Sequence, residues 1–246
     1  MLMIHSRRRC SDFPPDFYPE IGFKRTLGRL ILEIIESSGR RAAISNESQE
    51  VYSAYLRTGR RTVSVALACD RRLFMLSFTE IGLTLAYLHV SDLYECAQAV
   101  ESWVADKITL RDMNERFPNC EASEFAYQTE AGGGVSARWD ALLSAPWLQP
   151  EFIALLRAAA RRPLLRQLLP VASIGHYLSF SRTIGYPFAA INTCALWAKE
   201  DRYCAMGPQH RALKEGTIEA VLDVVETSVP PNAYLAIYGT ADDLAP

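Results

Sequence analysis

The sequence predicts an α+β protein, with two antiparallel sheets each covered by amphipathic helices and joined by a short helical connector. Three observations lead there. Short segments alternate apolar and polar residues with the two-residue period of a strand. The links between them are short enough for hairpins, which makes the neighbours antiparallel. The layout also occurs twice: VYSAYLR, TVSVALA, LFMLSF and LTLAYL precede the helix SDLYECAQAVESWV, and YLSFSR, FAAINTCALWA and DRYCAM precede TIEAVLDVVETSV. Few residues are identical between the halves, so the layout alone does not establish a duplication.

Residues 1–25 read as an extended arm, because Pro14, Pro15 and Pro19 fall within seven positions of FPPDFYPEIGF and forbid regular structure, while the aromatic side chains can pin it. The first α+β sub-domain covers residues 26–120. Thr26 caps a helix over about 26–38 with Leu27, Leu30, Ile31, Ile34 and Ile35 at helical spacing and Gly39 as its stop. In the strands, Val63, Val65 and Leu67 face one way. Phe74, Leu76 and Phe78 do the same with Leu73 and Met75 opposite, which predicts a central strand covered on both sides. Asp92 and Glu95 are spaced as a capping box for the covering helix, whose buried stripe is Leu93, Ala97, Val100 and Trp103/Val104. Thr109 caps TLRDMNERF, which stops before Pro118.

Residues 121–170 form a loop and helical connector: Gly132 to Gly134 read as a plain loop, and ARWDALLSA, PEFIALLRAAARR and PLLRQLL as short helices broken by Pro146, Pro150, Pro163 and Pro170. Residues 171–246 are the second sub-domain, ending in a strand AYLAIYG and an acidic tail.

At 246 residues the chain buries roughly 70% or more of its unfolded surface and needs no covalent staple. A net charge of −2 with dispersed basic residues supplies no footprint for nucleic acid. The arginine pairs and triplet (Arg7 to Arg9, Arg40-Arg41, Arg60-Arg61, Arg71-Arg72, Arg161-Arg162) read as solvated ends of elements. Arginine outnumbers lysine 22 to 4, a bias of GC-rich bacterial genomes. Six dispersed cysteines without a C-x-x-C pair read as buried free thiols of a reducing cytoplasm. No signal peptide follows MLMIHSRRRC and no apolar run reaches the roughly 18 residues of a membrane span, so the expected compartment is the cytoplasm, with no membrane and no nucleic-acid partner.

Chemistry-bearing residues concentrate in HYLSFSRTIGYP, residues 176–187, which supplies the candidate ligand- or partner-binding set His176, Ser181, Arg182 and Tyr186. Alternation places Tyr177, Ser179 and Ser181 on one face. Arg182 shares the other with Leu178 and Phe180, where its guanidinium needs a carboxylate from the fold or a ligand. Ser179 or Ser181 as a nucleophile with His176 lacks the G-x-S-x-G elbow and an orienting acid, so no catalytic residue is assigned. Tyr186-Pro187 is a candidate cis bond in a turn. The glycine run lacks a G-K-[ST] ending or G-x-G-x-x-G frame for phosphate. His5, His89, His176 and His210 form no ligand pattern, so neither a metal nor a cofactor is expected. Trp103, Trp139, Trp147 and Trp197 read as core, with any surface tryptophan marking a contact site.

Leu169-Pro170, Phe180-Ser181-Arg182 and Tyr186-Pro187 resemble a bacterial family of unknown function whose members often carry the label "natural product biosynthesis protein". The stretch DRRLFMLSF with GLTLAYLHVSDLYECAQAVESWV is similar to that family's strand, strand, helix block. The resemblance implies no activity. The leading expectation is a non-enzymatic bacterial cytoplasmic binding protein, of the immunity or accessory-factor kind, that binds a protein partner. The alternative is an enzyme or small-molecule binder of a specialised-metabolite pathway, with a pocket between the two halves.

Overall fold

A computed structural model describes residues 15–22, 24–39, 43–173, 177–198, 202–231 and 235–244. His176 lies outside them, as do His5, Cys10, Arg7 to Arg9, Arg40, Arg41 and the side chain of Trp197. The fold is α+β, with two antiparallel sheets. The chain divides into two compact units, Met1–Glu80 with Thr84–Ser123, and Ile81–Leu83 with Glu124–Pro246.

The first unit is a six-stranded meander: β1 (Ser45–Asn46), β2 (Ser53–Thr58), β3 (Arg61–Leu67), β4 (Phe74–Glu80), β5 (Leu83–Val90) and β6 (Glu121–Ala122), hydrogen-bonded in that order. Two helices, α1 (Leu27–Ser37) and α2 (Leu93–Val104), pack on one face of it, and α3 (Leu110–Arg116) lies against α2 and β6. Short polar side chains start each helix: Thr26 accepts from Arg29 N–H, Asp92 from Glu95 N–H, and Thr109 forms a full capping box with Asp112. Each such cap stabilises its helix by about 1 kcal/mol. Val63, Val65, Phe74, Leu76 and Phe78 of the sheet and Val100, Trp103 and Val104 of α2 are buried, and Phe78 stands edge-on to Trp103 at 5.7 Å. Burying each large apolar side chain contributes about 1.5–3 kcal/mol.

Two findings modify the sequence reading here. The helices cover one face of β4, while Met75 on the other lines an open groove. Several arginines read as solvated ends are interior clamps: Arg61 pairs with Glu80 at 3.3 Å, lies 4.1 Å above the Trp103 ring and donates to Ile108 O, and Arg72 joins Glu20, Phe17 O and Ser91 O. The segment 15–22 is tied down as well. Tyr18 is 2% exposed, and its hydroxyl accepts from Leu73 N–H and faces the carbonyls of Ala68, Arg71 and Leu73.

The second unit carries α4 (Glu124–Glu130), α5 (Gly134–Leu143), α6 (Pro150–Ala160), α7 (Pro163–Arg166) and α8 (Ile218–Thr227). Its sheet is β7 (Leu169–Ser173), β8 (Tyr177–Ser181), β9 (Cys194–Ala198), β10 (Arg202–Met206) and β11 (Ala212–Gly216), again in chain order. The helices expected to form a connector supply much of the core: Trp139, Phe152, Leu155, Leu156 and Leu165 pack with Leu178, Phe180, Ala195, Val221 and Val225. Arg162 holds the end of α6 to α8 through Asp223 at 2.6 Å and Glu226 at 3.0 Å.

Two strands of this sheet, β7 and β11, depart from the sequence reading, as the two-residue β1 and β6 do in the first sheet. Pro170 was read as a break, yet it sits in β7, an edge strand, where its missing N–H costs no ladder bond. All five residues of β11 are exposed, so no apolar alternation marks it. Conversely, the described part of AYLAIYG is no strand but a single parallel bridge of Ile237 to Thr183. The glycine run closes α4 and opens α5: Gly132 N–H donates to Thr129 O, Gly133 N–H donates to Gln128 O, and Gly132 takes φ +86°. Trp103 and Trp139 are fully buried, whereas Trp147, in the loop between α5 and α6, is 67% exposed.

Candidate functional site

Of the candidate set from the 176–187 segment, Ser181, Arg182 and Tyr186 fall among the described residues, and they have three different roles. Ser181 is 0% exposed and occupied within the turn: its hydroxyl donates to Thr183 O at 2.7 Å and accepts from Thr183 N–H at 3.0 Å. Thr183, also 0% exposed, accepts in turn from Ala189 N–H at 2.9 Å. These hydroxyls fold the loop after β8 and reach neither a ligand nor a surface.

Arg182 is half-buried, its backbone bonded to Ala189 and Ile237, and its guanidinium has no ion pair among the described residues. The carboxylate that the sequence reading required is therefore not among them. Tyr186 is 63% exposed, stands edge-on to Phe188 at 5.7 Å, and precedes Pro187 across a cis bond. Its N–H donates to Ile81 O at 2.8 Å. Gly185 N–H donates to Gly239 O at 2.7 Å. Tyr186 thus presents an aromatic face, with the exposed Leu235, Ile237 and Tyr238 in the same unit.

A more enclosed feature lies on the helix-free face of the first sheet. The strand register builds it in rows. Tyr55 pairs with Ser64, which pairs with Ser77; one row along, Ser53 pairs with Ala66, which pairs with Met75. Because side chains two apart share a face, both rows point away from α1 and α2. Tyr87 and His89 from β5 complete the lining of an open groove of ≈ 480 Å³. Tyr55 is 36% and Tyr87 51% exposed, and His89 is exposed as well. Among the described lining residues there is no carboxylate, lysine or arginine, and at the rim Ser53 donates to the Glu50 carboxylate at 2.6 Å.

Sequence reasoning missed this groove, since its residues come from four strands and none belongs to a motif. The available signal was the outward half of the strand alternation, Ser53/Tyr55, Ser64/Ala66, Met75/Ser77 and Tyr87/His89.

The thiols add no reactive centre to either region. Burial pushes the Cys96 thiol far above its ordinary range and Cys120 up to about 11, while Cys69 is exposed. Among the described residues no three His, Cys, Asp or Glu side chains come together as metal ligands, and no helix is long and apolar enough to cross a membrane.

The model of a family of unknown function (DUF6193) matches residues 134–240, from the first residue of α5 to beyond the Thr183–Ile237 bridge. That span includes Phe180-Ser181-Arg182 and Tyr186-Pro187 and leaves out the strand, strand, helix block of the first unit. No curated protein and no solved structure matches the chain.

Proposed function

We propose that this chain is a non-enzymatic binding protein that holds a protein partner on the open face of its first sheet. The composition of the groove carries this reading: two exposed tyrosines, a thioether, three serines and the imidazole of His89, with no carboxylate, lysine or arginine among the described lining residues. Tyrosine provides a large rigid contact area at small entropic cost, and serine adapts its hydroxyl to the groups it meets. Tyrosine and methionine are enriched, and acids and lysine depleted, at the centre of protein interfaces. A phosphorylated or carboxylated metabolite would instead call for a lysine or a forked arginine donor in the lining. The occupant is accordingly an uncharged surface segment of a second protein, with apolar side chains for Tyr55, Tyr87 and Met75 and hydrogen-bonding groups for the serines.

We place the protein among cytoplasmic accessory or immunity factors of bacteria. The arginine-rich coding bias and the resemblance at Phe180-Ser181-Arg182 support that placement.

The test is affinity capture from native cells of the wild-type chain and of a Tyr55→Ala/Tyr87→Ala variant whose unfolding midpoint matches wild type. One stoichiometric protein recovered with wild type and lost with the variant is the expected result. Equal recovery on both baits, or a bare chain carrying a small metabolite, would overturn the proposal.

A further inference from the structure

The hairpin of β9 and β10 gathers three sulfur atoms on one face. Its antiparallel register sets Met206 opposite Cys194 and Cys204 opposite Leu196, and the two-residue period puts Cys204 and Met206 on the same side. Ala195, Tyr203 and Ala205, on the other side, belong to the helix-covered core. Cys204 Sγ lies 3.4 Å from Met206 Sδ, and Cys194 Sγ lies 3.5 Å from Met206 O. The Tyr177 hydroxyl hydrogen-bonds the Cys194 sulfur. Next to Met206 the pairing with β11 shifts register, an irregularity of the kind that re-aims a side chain.

We propose that Cys194, Cys204 and Met206 form a binding site for a soft monovalent metal ion, Cu(I). Two sulfurs each about 2.3 Å from one trigonal ion stand about 4.0 Å apart, so Cys204 and Met206, at 3.4 Å, have to open by about 0.6 Å to share one. Thiolate and thioether donors select Cu(I); Zn(II) would need four ligands, usually with histidine or further thiolates, and no such group of three or more occurs among the described residues. Tyr177 supplies the outer hydrogen bond that steadies a thiolate ligand. The thiols are 3% and 6% exposed, and half-buried Met206 gives the ion its way in. Binding exchanges protons for metal: both S–H bonds break, two thiolate S–Cu bonds form and the Met206 thioether donates a lone pair to make a third, two protons pass to solvent, and copper remains Cu(I) throughout. The site shares no residue with the groove of the first sheet, so it stands whether or not that groove takes a protein.

The experiment is an anaerobic titration of the reduced full chain, carrying Cys10→Ser and Cys69→Ser, with Cu(I) in competition with a chromogenic Cu(I) chelator. One equivalent bound per chain is expected, abolished by Cys204→Ala and weakened at least tenfold by Met206→Leu. If Cys204→Ala does not fold, the volume-conserving Met206→Leu decides. Absence of stoichiometric binding, retention of the ion by folded Cys204→Ala, or unchanged affinity in Met206→Leu would overturn the proposal.

Discussion

Replacing Tyr18 by phenylalanine removes one oxygen atom and leaves the ring, with its edge-on contact to Phe74 at 5.6 Å, in place. The consequences follow from what that oxygen does. It accepts from Leu73 N–H at 2.9 Å, and its one proton serves the carbonyls of Ala68, Arg71 and Leu73 at 2.9–3.0 Å. At 2% exposure, water does not replace it without local opening. Orphaning a buried N–H costs about 1–3 kcal/mol, and losing the donated bond adds about 1 kcal/mol, so the first unit should lose about 2–4 kcal/mol. The site-specific assay is amide hydrogen exchange, in which the Leu73 N–H should exchange at least ~30-fold faster, the equivalent of about 2 kcal/mol. Urea unfolding followed through the same unit should show a lowered midpoint with unchanged slope. A change of less than threefold in exchange, with an unmoved midpoint, would refute the argument and return residues 15–22 to the free arm that their prolines suggest.

Other outcomes follow from the same geometry. A Cβ at Gly185 would run into Ile81 O and stand 2.7 Å from Gly239 O, so Gly185→Ala should cost about 1–3 kcal/mol in urea unfolding, whereas Gly22→Ala, with open space around it, should stay within about 0.5 kcal/mol. Trp139 is buried with its indole N–H donating to Leu168 O at 3.1 Å, so Trp139→Phe should destabilise the second unit by about 2 kcal/mol or more, while Trp147→Ala should leave the unfolding midpoint in place. The pH dependence has a definite sign. Burial raises the Cys120 thiol from 9.0 to about 11 and raises Cys96, Cys194 and Cys204 too, so the folded state keeps protons that the unfolded chain releases. This contribution to stability is complete below about pH 9 and declines as pH rises toward 11, and Cys120→Ala should show a shallower alkaline fall of the thermal midpoint than wild type.

Much of the scaffold was legible because local chemistry and burial agree. Thr26, Asp92 and Thr109 are short side-chain acceptors at helix starts, and each of them caps. The strands β2 to β4 alternate because one face is covered and the other open. Where the two decouple, the sequence misleads. β11 pairs with β10 while all five of its residues stay exposed, so nothing in ALKEG signals a strand, and Pro170 looks like a break until its strand proves to be an edge. Trp147 has the composition of core and the position of a loop. The groove was hidden for a topological reason: Tyr55, Ser64 and Ser77 become neighbours only through cross-strand register, which no local pattern encodes. In the 176–187 segment the clustering of polar residues was real, but Ser181 and Thr183 spend their hydroxyls folding the loop.

On the proposed reading a partner sits on the helix-free face of the first sheet. That placement is tested most directly by photo-crosslinking in native cells, with a photoreactive amino acid placed in turn at Tyr87, in the groove, and at Tyr94, 64% exposed on α2. One protein adduct from position 87 and none from position 94 is the expected result. An adduct from 94 with none from 87 would contradict that placement.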